Sequence, residues 1–158
     1  MFDRCCEYQS NSMKTRYQRF FEGFGSFTDV VTIPLKHRHP KHETYWREEF
    51  AEKNAIWFLN RLNKKFYGRA YIKGYKKLSV VTSYERGYLT SRPHFHMVIE
   101  RPRHIRREKF HDAIKSTFKS MEWGFGTIDI RDYTSPEFIS YMCKGDHHKI
   151  ILCASFRA

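Results

Sequence analysis

Two histidines one residue apart, His94 and His96, stand in the run PHFHMVIE at Pro93–Glu100. Phe95, Met97 and Ile99 alternate with them, a period-two pattern that predicts a strand with an apolar face. Side chains two apart share a face about 6.6 Å apart along the strand, so both imidazoles can converge on one ion. The preceding run, KLSVVTSYER at Lys77–Arg86, alternates in the same way. Leu78, Val80, Thr82 and Tyr84 fall on one face, and Ser79, Val81, Ser83 and Glu85 on the other. A hairpin centred between Leu89 and Thr90, inside the loop GYLTSR, sets Glu85 opposite His94, with β-carbons about 4.5–5.5 Å apart. Two imidazoles and a carboxylate with open coordination positions suit a catalytic Mn²⁺ or Mg²⁺ that also binds phosphate. The nitrogen ligands favour Mn²⁺ of the two.

The second group that could do chemistry is Tyr141 with Lys144. Ser135-Pro136-Glu137 reads as the N-cap and first positions of a helix that carries Phe138, Ile139, Tyr141 and Met142 and stops at Gly145. Residues three apart share a helix face, which puts Lys144 beside Tyr141. A phenol with a pKa near 10 is only about 0.1% ionised at neutral pH. To attack a phosphate it needs a metal that polarises the phosphate and a cation that steadies the developing charge. The ordinary role of such a residue is a packed tyrosine beside a solvated lysine. Among the ten tyrosines, Tyr84 has the wrong strand parity, Tyr88 lies in the hairpin loop, and Tyr133 lies between a strand and the helix cap.

Lysine and arginine number 29 against 17 acidic residues, a net charge of +12. That excess calls for a polyanionic partner, nucleic acid or an anionic membrane. No apolar run is long enough to span a bilayer, and no signal-peptide core follows Met1, so nucleic acid in the cytoplasm is expected. The candidates for phosphate contact are Lys36 and Arg38 in the basic loop KHRHPKH, Arg92 before the histidine strand, and Arg101, Arg103, Arg106 and Arg107 after it. His37, His39 and His42 form a rival cluster, but Lys36, Arg38 and Lys41 among them repel a metal. The four cysteines (Cys5, Cys6, Cys143, Cys153) make no C-x-x-C pair; reduced thiols are expected and a structural zinc is not.

These groups need a scaffold. At 158 residues, 41% hydrophobic and 17% aromatic, the chain suits one domain with a packed core. The predicted order is a short helix near Lys14–Phe21, a strand at Asp29–Leu35, a long helix at Glu43–Phe66, the two strands of the hairpin, a helix at Arg106–Trp123, a strand at Gly126–Arg131 and the tyrosine helix. Ile150–Cys153 is a further candidate strand. The β-α-β-β-α-β-α order predicts an α+β fold with a central antiparallel sheet of ferredoxin-like (RRM-like) order and flanking helices. Residues 1–27 are expected to form a partly flexible extension, and residues 28–158 the domain.

Arg92-Pro93-His94-Phe95-His96 resembles the histidine–hydrophobic–histidine motif of the HUH endonucleases. Tyr141-Met142-Cys143-Lys144-Gly145 resembles the Y-x-x-K motif of the rolling-circle replication initiators, the Rep proteins of that superfamily. Asp29–Leu35 is similar to their first-strand motif, and the likeness runs over roughly residues 28–146. It implies an HUH nuclease fold, metal ligation by His94, His96 and Glu85, and a Tyr141 that nicks single-stranded DNA at an origin or hairpin. The tyrosine would be left joined to the 5′ phosphate, with Lys144 positioning DNA or metal. It also implies a helicase supplied by another protein and no small-molecule substrate. The chain departs from the paired-tyrosine initiators in having one tyrosine in the motif. An HUH-type transposase with the same chemistry, and a non-catalytic nucleic-acid-binding module, stay open as alternatives.

Overall fold

A computed structural model describes residues 16, 18–86, 92–144 and 148–156. Its framework is a five-stranded sheet in the order β4-β1-β3-β2-β5, with each neighbouring pair antiparallel. The strands are β1 (Asp29–Pro34), β2 (Val80–Glu85), β3 (His94–Ile99), β4 (Asp129–Asp132) and β5 (His148–Ile150). The first four keep the ferredoxin-like arrangement, and β5 extends the sheet at the free edge of β2. No helix among the described residues is long and apolar enough to cross a membrane.

One face of the sheet carries the main core. Val31, Ile33 and Leu35, Leu78, Val80 and Tyr84, and Phe95, Met97 and Ile99 all point to it, as strand alternation requires. Two helices cover this face: α1 (Glu49–Tyr67), which buries Ala51, Ala55, Phe58, Leu59 and Leu62, and α3 (Arg107–Lys119), which buries Phe110, Ile114 and Phe118. Gly68, at a φ of 49°, ends α1 with its N–H on the Lys64 carbonyl, and a single-turn helix, α2 (Arg69–Ile72), follows.

Helix α1 starts six residues later than Glu43, the expected first residue. Its place is taken by a turn in which the His39 N–H donates to the Thr44 carbonyl and the Trp46 N–H to the His37 carbonyl. Trp46 is therefore not a helix residue; it lies against the main core and its indole N–H donates to the Tyr84 hydroxyl at 2.9 Å. The last apolar run is also corrected. Strand β5 ends at Ile150, and Leu152–Ala154 turn as a 3₁₀ helix. The Ser155 hydroxyl, bonded to the Ile151 carbonyl and to the Thr82 N–H, holds that turn against β2.

Asn63 is fully buried, and it explains how α1 is keyed to the sheet. Its amide donates to the Leu59 carbonyl at 2.9 Å and accepts the Leu78 N–H at 2.7 Å, just before β2 begins. Asn63→Ala strands the Leu78 N–H in an apolar surround. It is expected to destabilise the fold by about 1–3 kcal/mol, read as a lower urea midpoint at unchanged slope.

A second, smaller core lies on the opposite face of the sheet. Val30, Val81 and Val98 project there and are covered by Phe21, Phe27, Ile139 and Met142. Residues 18–22 are helical, and Phe27 meets Tyr133 edge to face at 5.8 Å. The segment before β1, to which the sequence assigns no packing role, thus contributes two buried aromatic rings. Ile139 and Met142 come from α4 (Glu137–Met142), a helix of six residues.

Candidate metal centre and tyrosine

The register of β2 on β3 is the one that alternation predicts: Glu85 pairs with His94 and Ser83 with His96. Both histidines and Glu85 lie on the face of the second core, at one end of the sheet. The three side chains place one ligand atom each within 4.8 Å of one another. Glu85 Oε2 is 3.0 Å from His94 Nε2 and 3.0 Å from His96 Nε2. Glu85 and His94 are partly exposed and His96 is buried.

The other ring nitrogens are held from behind. His94 Nδ1 lies 2.8 Å from the Arg92 carbonyl, which can only accept, so Nδ1 carries the proton. His96 Nδ1 lies 3.2 Å from the hydroxyl of Thr32, its partner on β1. A neutral His94 with its proton on Nδ1 presents a bare lone pair at Nε2. That lone pair faces a carboxylate oxygen at 3.0 Å, an arrangement that repels unless positive charge sits between the two. A protonated imidazole supplies that charge, and so does a divalent cation. Outer partners that fix the tautomer in this way are a regular feature of histidine metal sites. The donor set therefore fits a divalent cation bound through His94, His96 and Glu85.

Tyr141 meets the same oxygen. Its hydroxyl donates to Glu85 Oε2 at 3.1 Å, and its ring stands edge-on to His96 at 5.5 Å and beside Phe138 at 5.7 Å. Burial first, then the negative charge of Glu85 and the hydrogen bond to it, hold this phenol above its ordinary pKa. Tyr141 is the fifth residue of the six-residue α4 rather than a mid-helix residue. Lys144 lies just past the helix end, exposed, with its N–H on the Tyr141 carbonyl and its ammonium 5.5 Å from the Tyr141 ring centre. The Gly145 stop and the loop tyrosine Tyr88 fall outside the described residues.

The other sequence candidates are scattered. Arg92 borders the centre through its carbonyl, and its guanidinium lies over the Phe125 ring at 3.6 Å. Lys36 and Arg38 follow β1 at the same end of the sheet; Lys36 Nζ donates to the Glu122 carbonyl, and Arg38 pairs with Glu43. Arg101, Arg103, Arg106 and Arg107 follow the far end of β3, about 16 Å or more from His94 along the strand. Arg101 is half-buried and bonded to the Ile105 carbonyl, and Arg107 pairs with Asp132 at 2.5 Å. Within the basic loop His39 is buried, with Glu122 on one ring nitrogen and the Lys41 N–H on the other. That occupancy is structural.

Sequence inspection missed Thr32 and Phe138. Thr32 is the one polar residue between Val31 and Ile33, and ferredoxin-like order places β1 beside β3, which was the available signal. A family model of replication-associated proteins, the ORF2 type, matches over residues 28–146, from the start of β1 to the loop after α4. No curated protein and no solved structure matches the chain significantly. On the family match, which takes in the sheet, the histidine pair and Tyr141, the chain belongs to the ORF2-type family of replication-associated proteins.

Proposed function

We propose that the protein is an HUH-type endonuclease that nicks and rejoins single-stranded DNA to initiate rolling-circle replication, with Tyr141 as nucleophile. One observation carries this: a single oxygen, Glu85 Oε2, lies within 3.1 Å of two imidazole nitrogens and a tyrosine hydroxyl. The tyrosine comes from a residue 56 positions away in sequence, so the fold, not local spacing, assembles the group. Membership of a replication-associated family and the +12 charge support DNA as the partner.

His94 Nε2, His96 Nε2 and Glu85 would hold the cation, Mn²⁺ or Mg²⁺. Bound there, it supplies polarisation of the scissile phosphate and neutralisation of Glu85. Tyr141 Oη attacks the phosphorus, and the bond from phosphorus to the 3′ oxygen breaks. The nearest acceptor for the phenolic proton is Glu85 Oε2. The 3′ oxygen takes up a proton and leaves as a hydroxyl, while the 5′ phosphate stays on Tyr141. One phosphoester replaces another, so the reverse attack by a 3′ hydroxyl reseals the strand without ATP. Lys144 neutralises charge that builds on the phosphate, completing a Y-x-x-K motif.

The test is incubation with pooled single-stranded oligonucleotides and Mn²⁺, followed by a denaturing gel. A band retarded by a covalent nucleotide adduct is expected, and excess EDTA should remove it. Full adduct formation in EDTA would refute the metal's part, and no adduct from any pool would leave a binding module. Lys144→Ala should keep the adduct but slow its formation about ten- to a hundredfold, the effect of losing one exposed charge-stabilising group. A loss as complete as that of the nucleophile itself would mean that Lys144 does more than neutralise charge.

A further inference from the structure

Beside the triad runs a groove of about 540 Å³, lined by Thr32 and Pro34 of β1, Arg92, His94, and Phe125 to Asp129 leading into β4. It lies on the triad face, since Thr32, Pro34 and His94 share that parity and Asp129 pairs with Thr32. Phe125 keeps 40% of its surface exposed. A lone exposed aromatic ring needs no explanation, but this one is fixed on every side. Its N–H donates to the Pro34 carbonyl at 2.9 Å, and Leu35 bridges to Gly124. A side chain at Gly124 would run into the Phe118 ring, at 2.8 Å from a β-carbon, and Gly126 turns the chain at a φ of 61°. The Arg92 guanidinium lies over the ring at 3.6 Å. Two flanking glycines and two backbone tethers hold an apolar ring open to solvent next to the candidate catalytic residues.

We propose that Arg92 and Phe125 form a stacking platform for an unpaired nucleobase of the DNA strand next to the scissile phosphate. This rests on the single-stranded-DNA reading above and names a binding site within it. Unpaired bases stack on aromatic rings and on guanidinium planes, with little regard to sequence. A double helix keeps its bases stacked on one another, so the platform selects single strands. Thr127 and Asp129, on the same groove, offer a hydroxyl and a carboxylate to the base edge. The arrangement also explains why Arg92, which supplies a backbone carbonyl to His94, carries a planar cation rather than a lysine's point charge.

The test measures binding without cleavage, in EDTA, by the anisotropy of two fluorescein-labelled strands of equal length: oligo(dT) and a chain of abasic sites. Wild type should prefer oligo(dT). Phe125→Ala should weaken oligo(dT) binding roughly five- to a hundredfold, the range for loss of one base stack. It should leave abasic-strand binding and the salt slope unchanged. Phe125→Leu, which keeps a similar bulk without a π-face, should behave like Phe125→Ala, and Phe125→Tyr like wild type. Unchanged oligo(dT) binding in both the alanine and leucine variants would overturn the platform, and so would an equal loss on both strands. The outcome is separable from the nicking proposal. A base-dependent Phe125 effect without any Tyr141 adduct sinks the chemistry alone, and an adduct with no Phe125 effect sinks the platform alone.

Discussion

Tyr141→Phe eliminates the covalent DNA adduct and leaves fold and strand binding close to wild type. The substitution removes one oxygen, and that oxygen is the atom that must bond to phosphorus, so the loss is complete rather than graded. The phenyl ring can remain edge-on to His96 and beside Phe138. What stability suffers is the hydrogen bond to Glu85, about 0.5–1.5 kcal/mol and at the low end for a half-buried pair. Digestion of the wild-type adduct and mass spectrometry should find the nucleotide on the peptide that contains Tyr141. Tyr133 is the informative rival. Its ring packs against Phe27 in the second core, and burial followed by the Glu22 charge pushes its pKa up. Recovery of the nucleotide on Tyr133 would keep the reaction and overturn the assignment. Tyr84 is excluded on geometry, because its hydroxyl accepts from Trp46 on the far face of the sheet.

The second large effect belongs to the histidine pair. His94→Ala with His96→Ala should abolish adduct formation and, separately, the response of stability to Mn²⁺. A ligand that binds only the folded state at a hundred times its Kd adds about 2.7 kcal/mol. For a chain of this size that raises the melting temperature by roughly 5–10 °C. Wild type should show such a rise, and the double variant should show none. The variant will also start lower, since His96 is buried and its loss leaves Glu85 without imidazole partners. The slope against Mn²⁺ concentration is therefore the decisive readout. An identical rise in the variant would place the metal elsewhere.

The part of the site that lies in one hairpin was legible in the sequence. Strand parity alone orders Glu85, His94 and His96, because a one-residue slip would bury all three in the main core. The approach of Tyr141 was not legible, since helical spacing says which residues share its face but not what that face meets. The basic groups show the same limit. Composition indicates a polyanionic partner, yet Arg101, Arg103, Arg106 and Arg107 stand at the opposite end of β3 from the histidines. Proximity in sequence to the histidine strand misleads here, because a strand six residues long separates its two ends. Trp46 shows the cost of reading periodicity without tertiary context: its spacing fits a helix, but its indole is held by Tyr84, 38 residues on. Nor did the residues before β1 declare themselves, as Phe21 and Phe27 show no periodic pattern and are defined only by the valines they cover.

That second core has a practical meaning for anyone attaching the protein to something else. The histidines and Glu85 are rooted in the central strands, whose other face is braced by two long helices. Tyr141 rides on six helical residues whose apolar anchors, Ile139 and Met142, share their packing with Phe21 and Phe27. Load applied to residues 18–27, by a tether, a surface or a fused partner, reaches the tyrosine before it reaches the histidines. A fusion joined there is a strain gauge on the nucleophile, and a linker long enough to go slack is what keeps its aim.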